Sequence, residues 1–213
     1  AEEQQPRLCD RSLATAILFD QCPGGTTAAG LCALADCPPE MGFSYPCNAG
    51  WRLWALAKGG RGDVLVKDLR QRWATMDSVR LNLTLQEDWT ARPDSGQQWS
   101  HCAVVPLYIA IQGLAGIRPL APGFVRAEVR PQLADIDGLE VTAHTVRGPL
   151  RFSARGVPGH RELTIEPPPG CQTEAVLRLE ESVDLPRAAG EAPAGHVRYA
   201  LPATRTTLKL KHT

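Results

Sequence analysis

Hydrophobic positions up to about residue 112 repeat at the three- and four-residue spacing of helices that face a core. The clearest series are Leu13, Ile17 and Leu18, then Leu65, Leu69, Trp73 and Met76. Glycine and proline pairs separate the helical segments. They are Gly24-Gly25, Pro38-Pro39 and Gly59-Gly60. The pattern predicts four helices, which begin near Asp10 or Ser12, Thr26, Pro46 and Asp63.

The stretch from Asp77 to Trp99 is polar and shows no helical period, so it is predicted to be a long loop. An apolar segment follows, from about His101 to Gln112, and Ser100 is placed to cap it. A kink is expected at Pro106, because proline removes a helical hydrogen bond. Gly113 is a plausible end for this fifth helix.

After Gly116 the pattern changes from helical to alternating apolar and polar residues, with glycine and proline between the segments. Six or seven short strands of this kind are typical of a β-sandwich. The alternating segments are residues 124–130, 139–143, 150–154, 163–165, 175–179, 197–201 and 207–211.

The two patterns together predict an α+β protein with two domains. Residues 1–115 form a helical segment and residues 116–213 form a small antiparallel β-sandwich. Helical hairpins of this kind stack into bundles, solenoids or α/α toroids. Four or five helices are too few to close a toroid, so a toroid could be present only in part.

Composition narrows the classes of partner. Lys and Arg total 23 and Asp and Glu total 23, so the net charge is zero, and no basic field is available for nucleic acid or an anionic membrane surface. No apolar run reaches about 18 residues, the length that spans a bilayer. The seven cysteines are widely and irregularly spaced, which predicts no metal site, and no cofactor is indicated. The compartment stays open between cytoplasm and export.

Several short motifs carry a resemblance to a known family. Gly116–Phe124 reads GIRPLAPGF and is followed by Arg130-Pro131, while Arg147–Leu150 reads RGPL. Upstream, Thr84–Trp89 reads TLQEDW and precedes Ser100-His101. Together these motifs resemble the C-terminal part of bacterial α-L-rhamnosidases. In that family a catalytic (α/α)6 toroid leads into a C-terminal β-sandwich, and related toroid glycosidases share parts of the pattern.

The resemblance implies an inverting glycoside hydrolase that acts on terminal α-L-rhamnosides. One carboxylic acid protonates the leaving oxygen and a second carboxylate activates water on the opposite face of the sugar. By its place in the motif Glu87 would be the general base. The alternative is that Glu87 and Asp88 are solvated loop acids. Where the family commonly has an aromatic residue before the glutamate, this chain has Gln86, which is expected to alter the pocket wall or its hydration.

Four further residues are predicted to contact the sugar. His101 could hydrogen-bond a hydroxyl, although a helix-capping or core role would explain it as well. Trp89 and Trp99 bracket the loop and could stack on a sugar ring. Tyr45 lies where an inter-helix loop would reach the toroid mouth. Core packing is expected for the other three tryptophans, Trp51, Trp54 and Trp73.

No residue of the chain matches the general acid of the family, which leads to two hypotheses. The chain is a glycosidase fragment whose missing catalytic part was lost or is carried on another chain, which would then be a partner beside the rhamnoside substrate. Alternatively, it is a non-catalytic carbohydrate-binding or structural module. A fragment should expose an apolar helical face, and Trp51, Trp54 and Leu56 favour that hypothesis. A Cys102/His101 hydrolase is disfavoured, because adjacent helical residues point about 100° apart.

Overall fold

The computed structural model describes residues 8–90, 96–97 and 103–212. Its contacts divide the chain into two compact units, Ala1–Ile109 and Ala110–Thr213, called unit 1 and unit 2 below. Unit 1 is helical and unit 2 is built mostly of strands, as expected for an α+β protein. Among the described residues, no helix combines the length and apolar character needed to cross a bilayer.

Six α-helices are described, and two of them continue as π-helical turns. The helices are α1 Asp10–Leu18, α2 Thr27–Asp36, α3 Pro46–Lys58, α4 Gly62–Asp68, α5 Asp77–Asn82 and α6 Val105–Tyr108. The π-helical turns are Leu69–Trp73 after α4 and Ile109–Leu114 after α6. The predicted starts at Thr26 and Pro46 are confirmed within one residue, and Pro46 occupies the first turn of α3.

Packing of α1, α2 and α3 gives unit 1 its core. The buried side of α3 presents Leu53 and Leu56 beside Ala14 and Ile17 of α1 and Leu34 of α2. The Nζ atom of Lys58 donates hydrogen bonds of 3.0 Å to the carbonyl oxygens of Ile17 and Leu18. It therefore satisfies carbonyl groups that the end of α1 leaves without helical partners.

Several helix predictions are wrong in detail. Residues 77–82 form α5 rather than loop. Among the described residues the last helix begins at Val105, so Pro106 lies in its first turn and introduces no kink, because the first turn needs no donor there. Gly113 lies inside the π-helical turn instead of ending it. Helix α1 begins at Asp10 and is preceded by Cys9, so neither Asp10 nor Ser12 caps it. Helix α4 begins at Gly62 and is preceded by Arg61, so Asp63 lies inside the helix and does not cap it.

Nine strands are described in unit 2, seven of which match the alternating segments. The strands are β1 Ile117–Pro119, β2 Arg126–Val129, β3 Gly138–Thr145, β4 Gly148–Val157, β5 His160–Glu166, β6 Gln172–Arg178, β7 Glu181–Ser182, β8 His196–Ala200 and β9 Thr206–His212. They form a four-stranded sheet in the order β1-β2-β6-β8 and a five-stranded sheet in the order β3-β4-β5-β9-β7. Every described pairing is antiparallel except β2 with β6, which is parallel and departs from the predicted all-antiparallel arrangement.

One face of the five-stranded sheet is apolar. Phe152 on β4 lies opposite Ile165 on β5, and Ala154 lies opposite Leu163, which in turn faces Leu208 on β9. All five side chains are buried. Intervening residues point to the other face, as the two-residue period of a strand requires.

A network of ion pairs joins the strands of the four-stranded sheet. Glu128 on β2 is 1% exposed and pairs with Arg118 on β1 and, at 3.0 Å, with Arg198 on β8. Glu174 on β6 pairs with Arg198 at 3.0 Å and with Arg126 at 2.8 Å. Arg198 therefore bridges two carboxylates, and the network crosses all four strands.

Candidate functional site

The predicted base lies on a turn that follows α5. The helix ends at Leu83, whose φ of 56° is left-handed and reverses the chain. Thr84 then bonds back to Ser78: its N–H donates to the Ser78 carbonyl at 3.2 Å, and its carbonyl accepts from the Ser78 hydroxyl at 2.9 Å. The turn is thus tied to the first turn of the helix before it.

Glu87 is exposed on this turn. Its backbone N–H donates to the carbonyl of Gln97 at 2.9 Å. No residue in the described part of the chain forms a hydrogen bond or an ion pair with its carboxylate. The side chain is therefore available to a solvent molecule or a ligand, as a general base must be.

Gln86, by contrast, points into unit 1 and is 1% exposed. Its Oε1 accepts from the backbone N–H of Ser78 at 3.1 Å, and its Nε2 donates to the carbonyls of Asp88 and Trp89 at 2.7 and 3.0 Å. Gln86 was expected to alter the pocket wall or its hydration. Its side chain is instead buried inside the turn and forms no part of an exposed wall.

Trp89 is half-buried beside the same turn. Its indole N–H donates to the carbonyl of Ser44 at 2.9 Å, and Ser44 in turn donates its N–H and hydroxyl to the buried carboxylate of Asp10 at 3.0 and 2.7 Å. The Trp89 ring packs against Phe43 and Trp73, with centroids 5.7 and 5.2 Å away. An aromatic cluster of Phe43, Trp73 and Trp89 therefore supports the Glu87 turn.

Two arginines extend this cluster. The guanidinium of Arg72 lies 4.0 Å from the centroid of the Phe43 ring and that of Arg52 lies 5.5 Å from it. Arg52 is 2% exposed, donates to the Leu34 carbonyl at 2.7 Å and forms a buried ion pair with Asp68. Sequence reasoning missed Arg52 and Asp68, because residues 16 positions apart on different helices give no local signal.

The Arg52–Asp68 pair also lines a polar groove of about 380 Å³. Its charged lining comes from Asp36, Arg52, Arg61, Asp63, Lys67, Asp68 and Arg72. The groove also touches Cys37, where burial raises the pKa of the thiol and outweighs the opposing effect of Arg52 and Arg72. The thiol therefore stays protonated near neutral pH and is a poor nucleophile.

The structure places some of the predicted site residues together. Glu87 and Trp89 share one turn. Tyr45 is 48% exposed and directly follows Ser44, the acceptor of the Trp89 indole, at the start of α3. Trp99 and His101 lie outside the described residues. Among the described residues, no group of three His, Cys, Asp or Glu side chains could hold a metal ion.

Comparisons with known proteins give likeness in fold only. No protein-family model and no curated protein matches the sequence. Among solved structures, the fold is similar to the α-L-rhamnosidase of Streptomyces avermitilis complexed with L-rhamnose, with a TM-score of 0.72 and 18% identity over 95% of this chain and 21% of that one. It is also similar to the α-L-rhamnosidase of Dictyoglumus thermophilum, with a TM-score of 0.69 and 13% identity over 95% of this chain and 25% of that one.

A third similar structure is the α-L-rhamnosidase of Aspergillus terreus, with a TM-score of 0.58 and 21% identity over 92% of this chain and 24% of that one. The predicted resemblance to α-L-rhamnosidases is thus confirmed in fold. The chain spans about a fifth to a quarter of the length of these enzymes, which is consistent with a C-terminal piece.

Proposed function

We propose that this chain is the C-terminal part of a glycoside hydrolase that resembles α-L-rhamnosidases and inverts the configuration of its substrate. In this proposal residues 1–115 are the end of an (α/α)6 toroid and residues 116–213 are its C-terminal β-sandwich. The likeness in fold over 95% of the chain supports the family. The exposed carboxylate of Glu87, on a turn fixed by hydrogen bonds and aromatic packing, is the observation that carries the chemistry.

Glu87 acts as the general base. Its carboxylate accepts a proton from a water molecule while the water oxygen attacks the anomeric carbon. A second carboxylic acid, about 6.5–9.5 Å away, gives its proton to the leaving glycosidic oxygen. Trp89 and Tyr45 are proposed to bound the sugar on one side, and Trp99 and His101 are proposed to complete the contacts.

The second carboxylic acid is proposed to come from outside this chain. Several acids of unit 1 are already engaged: Asp10 accepts from Ser44, Asp20 pairs with Lys58, and Asp63 pairs with Arg61. The Arg61 guanidinium holds the pKa of the Asp63 carboxyl below its usual value, so that group is ionised at neutral pH and cannot donate a proton. The missing catalytic part would supply the acid, as another segment or another chain.

Activity measurements test the proposal. With an aryl α-L-rhamnoside the isolated chain should show no hydrolysis above background. When the missing catalytic part is supplied and hydrolysis appears, Glu87→Gln should lower kcat by about 10²–10⁴-fold, because water is no longer deprotonated in the transition state. Asp88→Asn is the matched control, since it neutralises the adjacent carboxylate, and it should leave most activity. Robust hydrolysis by the isolated chain, or full activity of the Glu87→Gln assembly, would refute the assignment.

A carbohydrate-binding module is the second candidate. One observation favours it: the polar face of the five-stranded sheet has a recess of about 280 Å³, lined in part by Glu140, Arg151, Ser153, Thr164 and Glu166. Hydroxyl and charged groups of this kind can hydrogen-bond a sugar. In a titration with L-rhamnose followed by NMR, shifts that begin at Glu87 and Trp89 would support the glycosidase. Shifts confined to the recess would support the module.

A further inference from the structure

We infer that Gln86 is the positioning residue of the Glu87 turn: its buried amide joins the start of α5 to the backbone on the far side of Glu87. The inference deepens the proposed function and rests on it for its catalytic consequence. Its structural part concerns the turn alone and stands on the three hydrogen bonds of one side chain.

The three bonds close the turn around Glu87. On one side, Oε1 of Gln86 accepts from the N–H of Ser78 at 3.1 Å. On the other, Nε2 donates to the carbonyls of Asp88 and Trp89 at 2.7 and 3.0 Å. Glu87 lies between the donor residue and its acceptors, so the backbone on both sides of Glu87 is held to one buried group.

The Oε1 atom of Gln86 satisfies a backbone N–H group in the first turn of α5. Ser78 is the second residue of α5, where backbone N–H groups have no partner inside the helix. Ser78 is fully buried, so water does not satisfy its N–H group. Gln86 therefore caps α5 and fixes the turn with the same side chain.

The other end of the turn is anchored independently. The Trp89 carbonyl receives the Gln86 amide, while the Trp89 indole donates to Ser44, which is bound to Asp10. A continuous chain of hydrogen bonds thus runs from α1 through the 42–46 loop and the Glu87 turn to α5. Gln86 points inward and Trp89 is held in place, while Glu87 is exposed and its neighbour Asp88 is only partly exposed.

Only an amide makes all three bonds in this position. A carboxylate could accept from Ser78 but would face the two carbonyl oxygens without a proton to share. An apolar side chain would leave the Ser78 N–H and both carbonyls without this partner. The precision with which Glu87 is held should therefore depend on the chemistry of residue 86, and not on its bulk alone.

Hydrogen exchange and NMR on this chain test whether the Gln86 hydrogen bonds hold the Glu87 turn. Gln86→Met keeps a long unbranched side chain and removes the three bonds, so exchange of the Ser78 amide should rise at least about tenfold and the Trp89 indole N–H signal should shift or broaden. Gln71→Leu, at an exposed glutamine of the same unit, is the matched control and should change neither.

Gln86→Glu gives a signature that a packing role would not. Below the pKa of the new carboxyl group its proton can be donated to one carbonyl, so the Trp89 indole signal should return toward that of the parent chain as pH falls, and be lost again above that pKa. This variant also serves if Gln86→Met fails to fold. Unchanged Ser78 exchange in Gln86→Met, or a pH-independent indole signal in Gln86→Glu, would overturn the inference.

The catalytic part is tested in the assembly that hydrolyses the rhamnoside. Gln86→Met should lower kcat by about tenfold with little change in KM, because the base is present but displaced from its position. If Gln86→Met loosens the turn while Glu87→Gln leaves activity intact, the positioning role stands and the proposed base is wrong. If the turn loosens but kcat is unchanged, the catalytic role of Gln86 fails while the general-base assignment survives.

Discussion

Glu128 is a buried carboxylate whose ionised form is stabilised by two arginines. Burial acts to raise its pKa, but hydrogen bonds and charge from Arg118 and Arg198 outweigh this effect and hold the pKa of Glu128 below its ordinary value of 4.5. Both arginines come from other strands of the same sheet. The ionised form is therefore favoured more in the folded state than in the unfolded state.

The lowered pKa predicts an acid-sensitive unit 2. The stabilisation should be complete above pH 4.5 and should be lost as pH falls through the lower pKa of the folded chain, because the unfolded state then binds the proton first. Amide exchange of β2 and β6 as a function of pH measures this. Glu128→Gln should remove this component of the pH dependence.

The same substitution should also destabilise unit 2 at neutral pH. Removing the carboxylate leaves two arginines without this partner, and breaking a buried ion pair costs about 3–5 kcal/mol. Glu140→Gln is the control, because its pair with Arg155 is largely exposed, with 68% and 79% of the side chains accessible. That control should have little effect. Equal effects of the two substitutions would show that the network does not stabilise the sheet.

At the scale of elements, hydrophobic period predicted the long helices and most strands but failed for α5. This helix has six residues, its buried residue is Ser78, and its Leu81 is 65% exposed. One and a half turns are too short to establish a period, and here the polar side faces inward. The missed strands β1 and β7 have three and two residues and are defined by their partners rather than by alternation.

Helix α3 carries a glycine where α6 crosses it. A Cβ atom at Gly50 would lie 1.7 Å from the Tyr108 hydroxyl oxygen and 2.9 Å from a methyl carbon of Val105. Glycine is otherwise unfavourable in a helix by about 0.5–1 kcal/mol relative to alanine. Its presence is therefore explained by close packing, which also buries the Tyr108 phenol and raises its pKa to about 12.

Gly50→Ala should destabilise unit 1 by about 1–2 kcal/mol, since the cost of overpacking exceeds the gain in helix propensity. Urea unfolding followed by tryptophan fluorescence measures it, because all five tryptophans precede residue 110 and report on unit 1. Tyr108→Phe removes the clashing oxygen and should rescue most of the loss when combined with Gly50→Ala. Additive effects of the two changes would contradict this contact.

At the scale of the whole molecule, motif reasoning found the Glu87 turn but not what supports it. The motif contains Gln86, Glu87 and Trp89, so their proximity follows from sequence. The partners Ser44, Phe43 and Asp10 come from segments more than 40 residues away, and hydrogen bonds across such distances leave no trace in local pattern. The parallel pairing of β2 with β6 could not be predicted either, because the paired residues are 46 positions apart in the sequence.

Trp54 was expected in the core, yet 38% of it is accessible, while Trp73 is buried as expected. Leu56 was expected on the exposed apolar face of a fragment, but it is fully buried against the core of unit 1. The ring of Trp54 lies 6.0 Å from that of Trp51 and 6.5 Å from that of Tyr108, and these two neighbours are half-buried. An exposed aromatic side chain such as Trp54 is what a fragment of a larger helical domain would leave uncovered.

Accordingly, the isolated chain should self-associate, with a sedimentation coefficient that rises with concentration. Trp54→Ser should weaken the association about tenfold or more, because burial of a large apolar side chain contributes about 1.5–3 kcal/mol. Leu179→Ser removes an apolar residue of unit 2 that is 60% exposed and serves as the control. A chain that stays monomeric at every concentration would favour the free-standing module instead.

The parallel pair β2–β6 also delays completion of the four-stranded sheet during synthesis. Strand β2 ends at Val129, but its parallel neighbour begins at Gln172, after β3, β4 and β5 have been made. Arg198, which binds both buried glutamates, leaves the ribosome later still. In the nascent chain Glu128 therefore has Arg118 as a partner but must wait for Arg198, which is made 70 residues later. The four-stranded sheet therefore cannot close until β8 has been made, because only then are both arginine partners of Glu128 present.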